Sequence, residues 1–156
     1  MELNFPRGGR TKMGNIAEKF QDRAFLLSYM FRKILVPYDG SANSEKGLRV
    51  ALELSLILGS KITLAYACEV GRCDEQLLKR AMQIAESRGV KIETKIIEYN
   101  PEESSEASEI VKEVNNNSYD LVVVGVRGKT EYEGVEKGSV AASLFVNTNI
   151  SYLFVK

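Results

Sequence analysis

The sequence predicts an α/β fold: a five-stranded parallel sheet in the order 3-2-1-4-5, with helices on both faces. Three observations carry that expectation. Short continuous apolar runs, Ile34-Leu35-Val36 and Leu121-Val122-Val123-Val124 above all, have the composition of strands buried on both faces. Stretches with apolar residues at helical spacing separate such runs, and the alternation continues five strands deep. Right-handed crossovers then build one sheet covered on both sides. Finally, glycine-bearing loops follow the first and fourth strands, which that strand order places side by side at the end of the sheet where ligands bind.

Each element has its own signature. Pro37 closes the first strand, Asp39-Gly40-Ser41 makes a turn, and Ser41 is placed to cap the helix that follows. Leu48, Ala51, Leu52, Ser55 and Leu58 keep helical spacing until Gly59 ends the helix. Ile62-Thr63-Leu64-Ala65-Tyr66 is the second strand. Leu77, Leu78, Ala81, Ile84 and Ala85 form the stripe of the next helix, closed by Gly89. Residues 90–98 alternate polar and apolar side chains in part, as suits a strand at a sheet edge. Ala107, Ile110, Val111 and Val114 mark the third helix of the alternation, broken by Asn115-Asn116-Asn117. Residues 120–124 form the fourth strand. Val140, Leu144 and Phe145 belong to the next helix, and Tyr152-Leu153-Phe154-Val155 to the fifth strand.

Composition narrows the classes of function. A chain of 156 residues favours one domain with a sizeable core. Lys and Arg number 21 and so do Asp and Glu, without a basic stripe, so nucleic acid and anionic membranes are not expected partners. Neither a membrane-length apolar run nor a signal-peptide pattern is evident, which points to the cytoplasm. Histidine is absent, which excludes an imidazole base or metal ligand. Cys68 and Cys73, spaced C-x4-C, do not make a zinc site without histidine. They read as reduced thiols of a cytoplasmic protein, with a redox pair as the alternative.

The chemistry concentrates after the fourth strand, in Gly125-x2-Gly128-x9-Gly138-Ser139-Val140. Glycines let a backbone approach a ligand closely. A helix starting at Ser139 would aim free N–H groups and a positive dipole end at an anion. Together with the turn after strand one, this describes a phosphate cradle.

These residues resemble a known family. Lys33-Ile34-Leu35-Val36-Pro37-Tyr38-Asp39-Gly40-Ser41, followed by Ser44 and Leu48, resembles the opening of universal stress protein domains. The glycine pattern is similar to the signature of that family's ATP-binding branch, and the resemblance spans residues 31–156. It implies a Rossmann-like sheet of the adenine nucleotide alpha hydrolase type, a homodimer and bound ATP with Mg²⁺ held through the phosphates. It further implies that Pro37 and Asp39 contact the adenosine, that Ala67, just past strand two, offers backbone groups to adenine, and that Gly125 and Gly128 admit ribose and phosphates. Gly138, Ser139 and Val140 would then hold phosphate oxygens, and Arg127 could add charge there or lie solvated in its loop. Read singly, Pro37 is a strand terminator and Asp39 a turn carboxylate; beside the glycine signature the ligand roles take precedence.

Three departures stand out. Ser151 replaces a proline common before the last strand, which bears on the dimer edge expected at residues 152–155. The stretch after strand two is short, leaving little to lid the adenine. Residues 1–30 precede the family domain; Ile16, Ala17, Phe20, Ala24 and Leu27 make one apolar face of a helix there. That extension is an extra packed helix, a leader upstream of a start at Met30, or a partner or membrane-surface helix. The expected function is a nucleotide-dependent regulatory or stress-response module with an unidentified protein partner; the alternative is a slow ATP hydrolase. Gly128-Lys129-Thr130 lacks the spaced glycine of a P-loop, Glu131, Glu133 and Glu136 are the other water-orienting candidates beside Asp39, and a receiver-type phosphoacceptor aspartate is missing at the end of strand three.

Overall fold

A computed structural model describes residues 12–126 and 140–156. In chain order the elements are α1 (Lys12–Met30), β1 (Lys33–Pro37), α2 (Ala42–Leu58), β2 (Lys61–Glu69), α3 (Glu75–Ser87), β3 (Ile92–Tyr99), α4 (Glu106–Asn116), β4 (Leu121–Gly125), α5 (Val140–Asn147) and β5 (Ser151–Val155). The sheet is parallel throughout, in the order β3-β2-β1-β4-β5. The parallel sheet is what the alternation of apolar runs and helical stripes leads one to expect, and its order is the one that went with the family resemblance.

Side-chain alternation along β1 divides the core into two layers. Ile34 and Val36 join Leu48, Leu52 and Leu78 on the face covered by α2 and α3, whereas Leu35 joins Ile110, Val114 and Leu144 on the face covered by α4 and α5. A central strand therefore needs apolar residues at every position, which is why its sequence is a continuous run. Helix ends follow local chemistry. The Ser41 hydroxyl accepts from the Ser44 N–H at the start of α2, and Gly59, at φ 71°, closes it by donating to the Ser55 carbonyl. Asp120 fastens the opposite end of the sheet: its carboxylate accepts from the N–H groups of Arg32 and Lys33 at 3.0 and 2.9 Å.

Three expectations are corrected. β2 continues to Glu69, so Ala67 lies inside the strand and not past it. β3 starts at Ile92, because the Val90 N–H turns back to the Ala85 carbonyl. Cys68 and Cys73 are not reduced thiols but a disulfide. The longer strand explains the bond. Cys68 is near the end of β2, and a turn through Gly71, at φ 76°, brings the Cys73 Cα within 5.3 Å of its Cα. The cytoplasmic assignment loses the part of its support that came from reduced thiols. In the N-terminal extension, α1 forms as its spacing suggests, but Ile16, Ala17 and Leu27 of the expected apolar face are exposed.

Candidate functional site

The crevice begins where two strands part. Pairing between β1 and β4 stops at Leu35 and Val122, yet β1 runs on to Pro37 and β4 to Gly125. On its other side β1 stays paired to its end, Pro37 opposite Ala65, and the Tyr38 N–H still donates to the Ala65 carbonyl at 2.9 Å. Order reverses at this point of the sheet: β1 connects to β2 on one side and lies against β4 on the other. The N-termini of α2, α3 and α4, capped by Ser41, Asp74 and Ser105, open at the same end. Their dipoles make the rim favourable to negative charge.

The turn after β1 is held by its own side chains. Gly40 takes φ 82°, a conformation open to glycine. The Asp39 carboxylate accepts from the Ser41 N–H at 2.9 Å, and the Asp39 N–H donates to the Ser44 hydroxyl at 3.4 Å. Ser44 in turn donates its hydroxyl to the Ser41 carbonyl at 3.0 Å. Partial burial opposes ionisation of Asp39, but the hydrogen bonds from Ser41 and Ser44 outweigh it and hold the carboxyl below its usual range. Asp39 is thus an anion that caps its own loop and lies exposed at the crevice.

Glu106, in the first turn of α4, was not anticipated from the sequence. Burial, and after it the charge of Asp39, pushes its carboxyl above the usual range. Its mark in the sequence is the pair Ser105-Glu106, a cap followed by a first-turn acid, at the same end of the sheet as Asp39. Two carboxyls influencing one another here favour hydroxyl or amino donors as ligand groups and disfavour phosphate at this spot. Tyr38, by contrast, faces away from the crevice between α2 and α3, with its hydroxyl buried and unpartnered among the described residues.

The structure brings Pro37, Asp39 and Gly125 to the mouth. Pro37 is buried as the last residue of β1. Ala67 is buried in β2, and on the edge that faces β1 it is one strand period past the last bridge, so its backbone groups there project beyond the end of β1. Gly125 ends β4, and a side chain there would strike the Asn43 carbonyl and lie 2.9 Å from the Ser44 nitrogen, both in the first turn of α2. Gly47, one turn further along α2, has the same relation to the Gly125 nitrogen, at 2.8 Å. The close approach that Gly125 permits within the described residues is therefore by helix backbone. Val140 opens α5 and packs partly buried on the α4 and α5 side of the core. Arg127, Gly128, Gly138 and Ser139 lie outside the described residues, as do Lys129, Thr130, Glu131, Glu133 and Glu136. Among the described residues no group of three or more Cys, Asp or Glu side chains is arranged to hold a metal ion, and no helix is long and apolar enough to cross a membrane.

Comparison with known proteins agrees with this fold. A universal stress protein of Methanocaldococcus jannaschii is 28% identical over 146 residues, covering 81% of this chain and 83% of its own length. One from Synechocystis is 26% identical over 123 residues, and there the match spans 41% of the relative. Among solved structures, a universal stress protein from Archaeoglobus fulgidus has a TM-score of 0.66 at 21% identity, over 81% of this chain and 99% of that one. The Archaeoglobus fulgidus universal stress protein in complex with dAMP gives 0.61 at 20% identity, covering 81% and 99%. A universal stress protein in complex with cAMP gives 0.60 at 23%, covering 80% and 96%. These likenesses establish the fold. The profile of the universal stress protein family matches residues 30–156, and the chain belongs to that family.

Proposed function

We propose that the crevice binds an adenine nucleotide, ATP with Mg²⁺, and that the chain acts as a nucleotide-dependent regulatory module through conformation or dimerisation. The observation that carries this reading is the parting of β1 and β4 in front of the α2 N-terminus, with an ionised Asp39 at the mouth. That carboxylate suits a ribose hydroxyl as donor, and the projecting backbone edge of Ala67 suits the edge of an adenine ring. The phosphates, repelled by Asp39 and Glu106, would extend towards Gly125, Arg127, Gly128, Gly138, Ser139 and Val140. Two relatives of the same fold in complex with cAMP and dAMP support an adenine nucleotide as the class. The domain that does this is residues 31–156, with residues 1–30 as an extension, and two copies pair through residues 152–155.

Calorimetric titration with ATP tests the assignment. Gly138→Val should abolish binding in a protein that circular dichroism shows to be folded, because a side chain there intrudes where the phosphates must approach. Ser139→Ala should weaken binding roughly five- to hundredfold, the loss of about 1–3 kcal/mol expected for a hydrogen bond to a charged oxygen. Wild-type affinity in folded Gly138→Val protein would overturn the site.

A further inference from the structure

We propose that Cys68 and Cys73 are a reversible dithiol–disulfide pair that sets the affinity of the nucleotide crevice; this rests on the nucleotide reading above. The bond ties the end of β2 to the segment that leads into α3. Cys68 is one residue beyond Ala67 on the same strand, and Cys73 immediately precedes Asp74, the cap of α3. The Asp74 N–H also donates to the Tyr66 hydroxyl at 3.2 Å, so the entry to α3 is held to β2 by a covalent and a polar link.

From there a short chain of contacts leads to Asp39. Leu77, in the first turn of α3, covers Gly40: a β-carbon on that glycine would lie 2.5 Å from the Leu77 Cδ2. Arg80, the next turn along, donates to the Glu45 carboxylate at 2.8 Å, and Glu45 lies in the first turn of α2. The Asp39-Gly40-Ser41 turn is therefore enclosed by the start of α3 on one side and the start of α2 on the other. Opening the disulfide removes the covalent tie between β2 and the entry to α3, which is then held by the hydrogen bond to Tyr66 while the packing of Leu78, Ala81 and Ala85 keeps the rest of the helix on the sheet. The lid of Leu77 over Gly40 then loosens, and the carboxylate of Asp39 loses a fixed position.

The exchange balances with a dithiol as reductant. One of its thiolates attacks the Cys73 sulfur, the less buried of the two, and the S–S bond breaks as a mixed disulfide forms. Cys68 leaves with the electron pair and takes a proton. The second thiol of the reductant displaces Cys73, which also takes a proton, so two electrons and two protons pass to the protein and the reductant leaves as its disulfide. A small-molecule disulfide drives the reverse.

The experiment uses the full chain equilibrated with dithiothreitol or with glutathione disulfide. Alkylation and mass measurement count thiols, calorimetry measures ATP affinity, and amide exchange without nucleotide follows residues 40–45. Two thiols under reduction and none under oxidation are expected, with ATP bound at least about fivefold tighter in the oxidised state, the lower end of ordinary coupling between sites. Exchange at residues 40–45 should quicken on reduction. Cys73→Ser should bind ATP like the reduced protein in either buffer. Equal affinity in both states, unchanged exchange, or a thiol count that does not move would each overturn the proposal and leave nucleotide binding standing. Failure of ATP to bind in either state would remove the nucleotide reading and this inference with it.

Discussion

Asp39 and Glu106 are two carboxyls at one rim whose surroundings shift them in opposite directions. Asp39 is desolvated but gains hydrogen bonds from Ser41 and Ser44, so its ionised form is favoured in the fold. Its contribution to stability is present above about 3.8, its usual value, and is lost as pH falls through the lower folded value. Glu106 has burial and the Asp39 charge against it. Its folded form holds its proton more tightly than the unfolded chain does, so stability falls as pH rises from about 4.5 through the raised value. Glu106→Gln should therefore raise the melting temperature at neutral pH, and that gain should fade as pH drops below about 4.5. Thermal melts of both proteins across that range check the sign; parallel profiles would remove the assigned environment. The loop-capping role of Asp39 was legible because a strand, a turn glycine and a capping serine surround it in sequence. Glu106 was not, because the charge that acts on it, Asp39 in the turn after β1, is far away along the chain.

At the scale of elements, the contact between β4 and α2 fixes how far the helix can approach the crevice. Gly125 and Gly47 meet backbone to backbone, and the Asn43 carbonyl occupies the space a side chain at 125 would need. Gly125→Ala should cost about 1–3 kcal/mol or more by overpacking, measured by denaturant unfolding. It should do so without any nucleotide present. A stable Gly125→Ala protein would mean that this glycine does not set the helix position. Read as sequence, Gly125 looked like a glycine reserved for a ligand, because spacing shows where a glycine lies but not which backbone approaches it. Strand cores and helix caps were legible for the opposite reason: their signals are local. The length of β2 was not. Its last three residues are strand because Ala67, Cys68 and Glu69 pair with Ile97, Glu98 and Tyr99, partners about thirty positions away, and with that extension the geometry of the two cysteines also escaped notice.

At the scale of the whole molecule, the parallel sheet was readable from the alternation, whereas right-handed crossovers also allow 2-1-3-4-5, so the order 3-2-1-4-5 rested on the family resemblance. The two ends of that order differ in what they offer a second chain. Among the described residues β5 pairs with β4 alone, and Leu153 and Phe154 on it are 37% and 41% exposed; Phe145 and Val146 of α5 are exposed too. Light scattering at micromolar concentration should find a pair of chains, and Phe154→Lys should return it to single chains. A wild-type monomer, unchanged by ATP, would count against pairing through β5. The opposite border, β3, displays Glu93, Lys95 and Glu98 along its exposed length, and charge on an edge strand discourages a neighbouring sheet from adding there. A sheet with one receptive border can recruit a single mate but has no second border on which to continue. Were two chains to pair through β5, growth by strand addition would terminate there, and the charged β3 border would keep the pair from extending into a fibre.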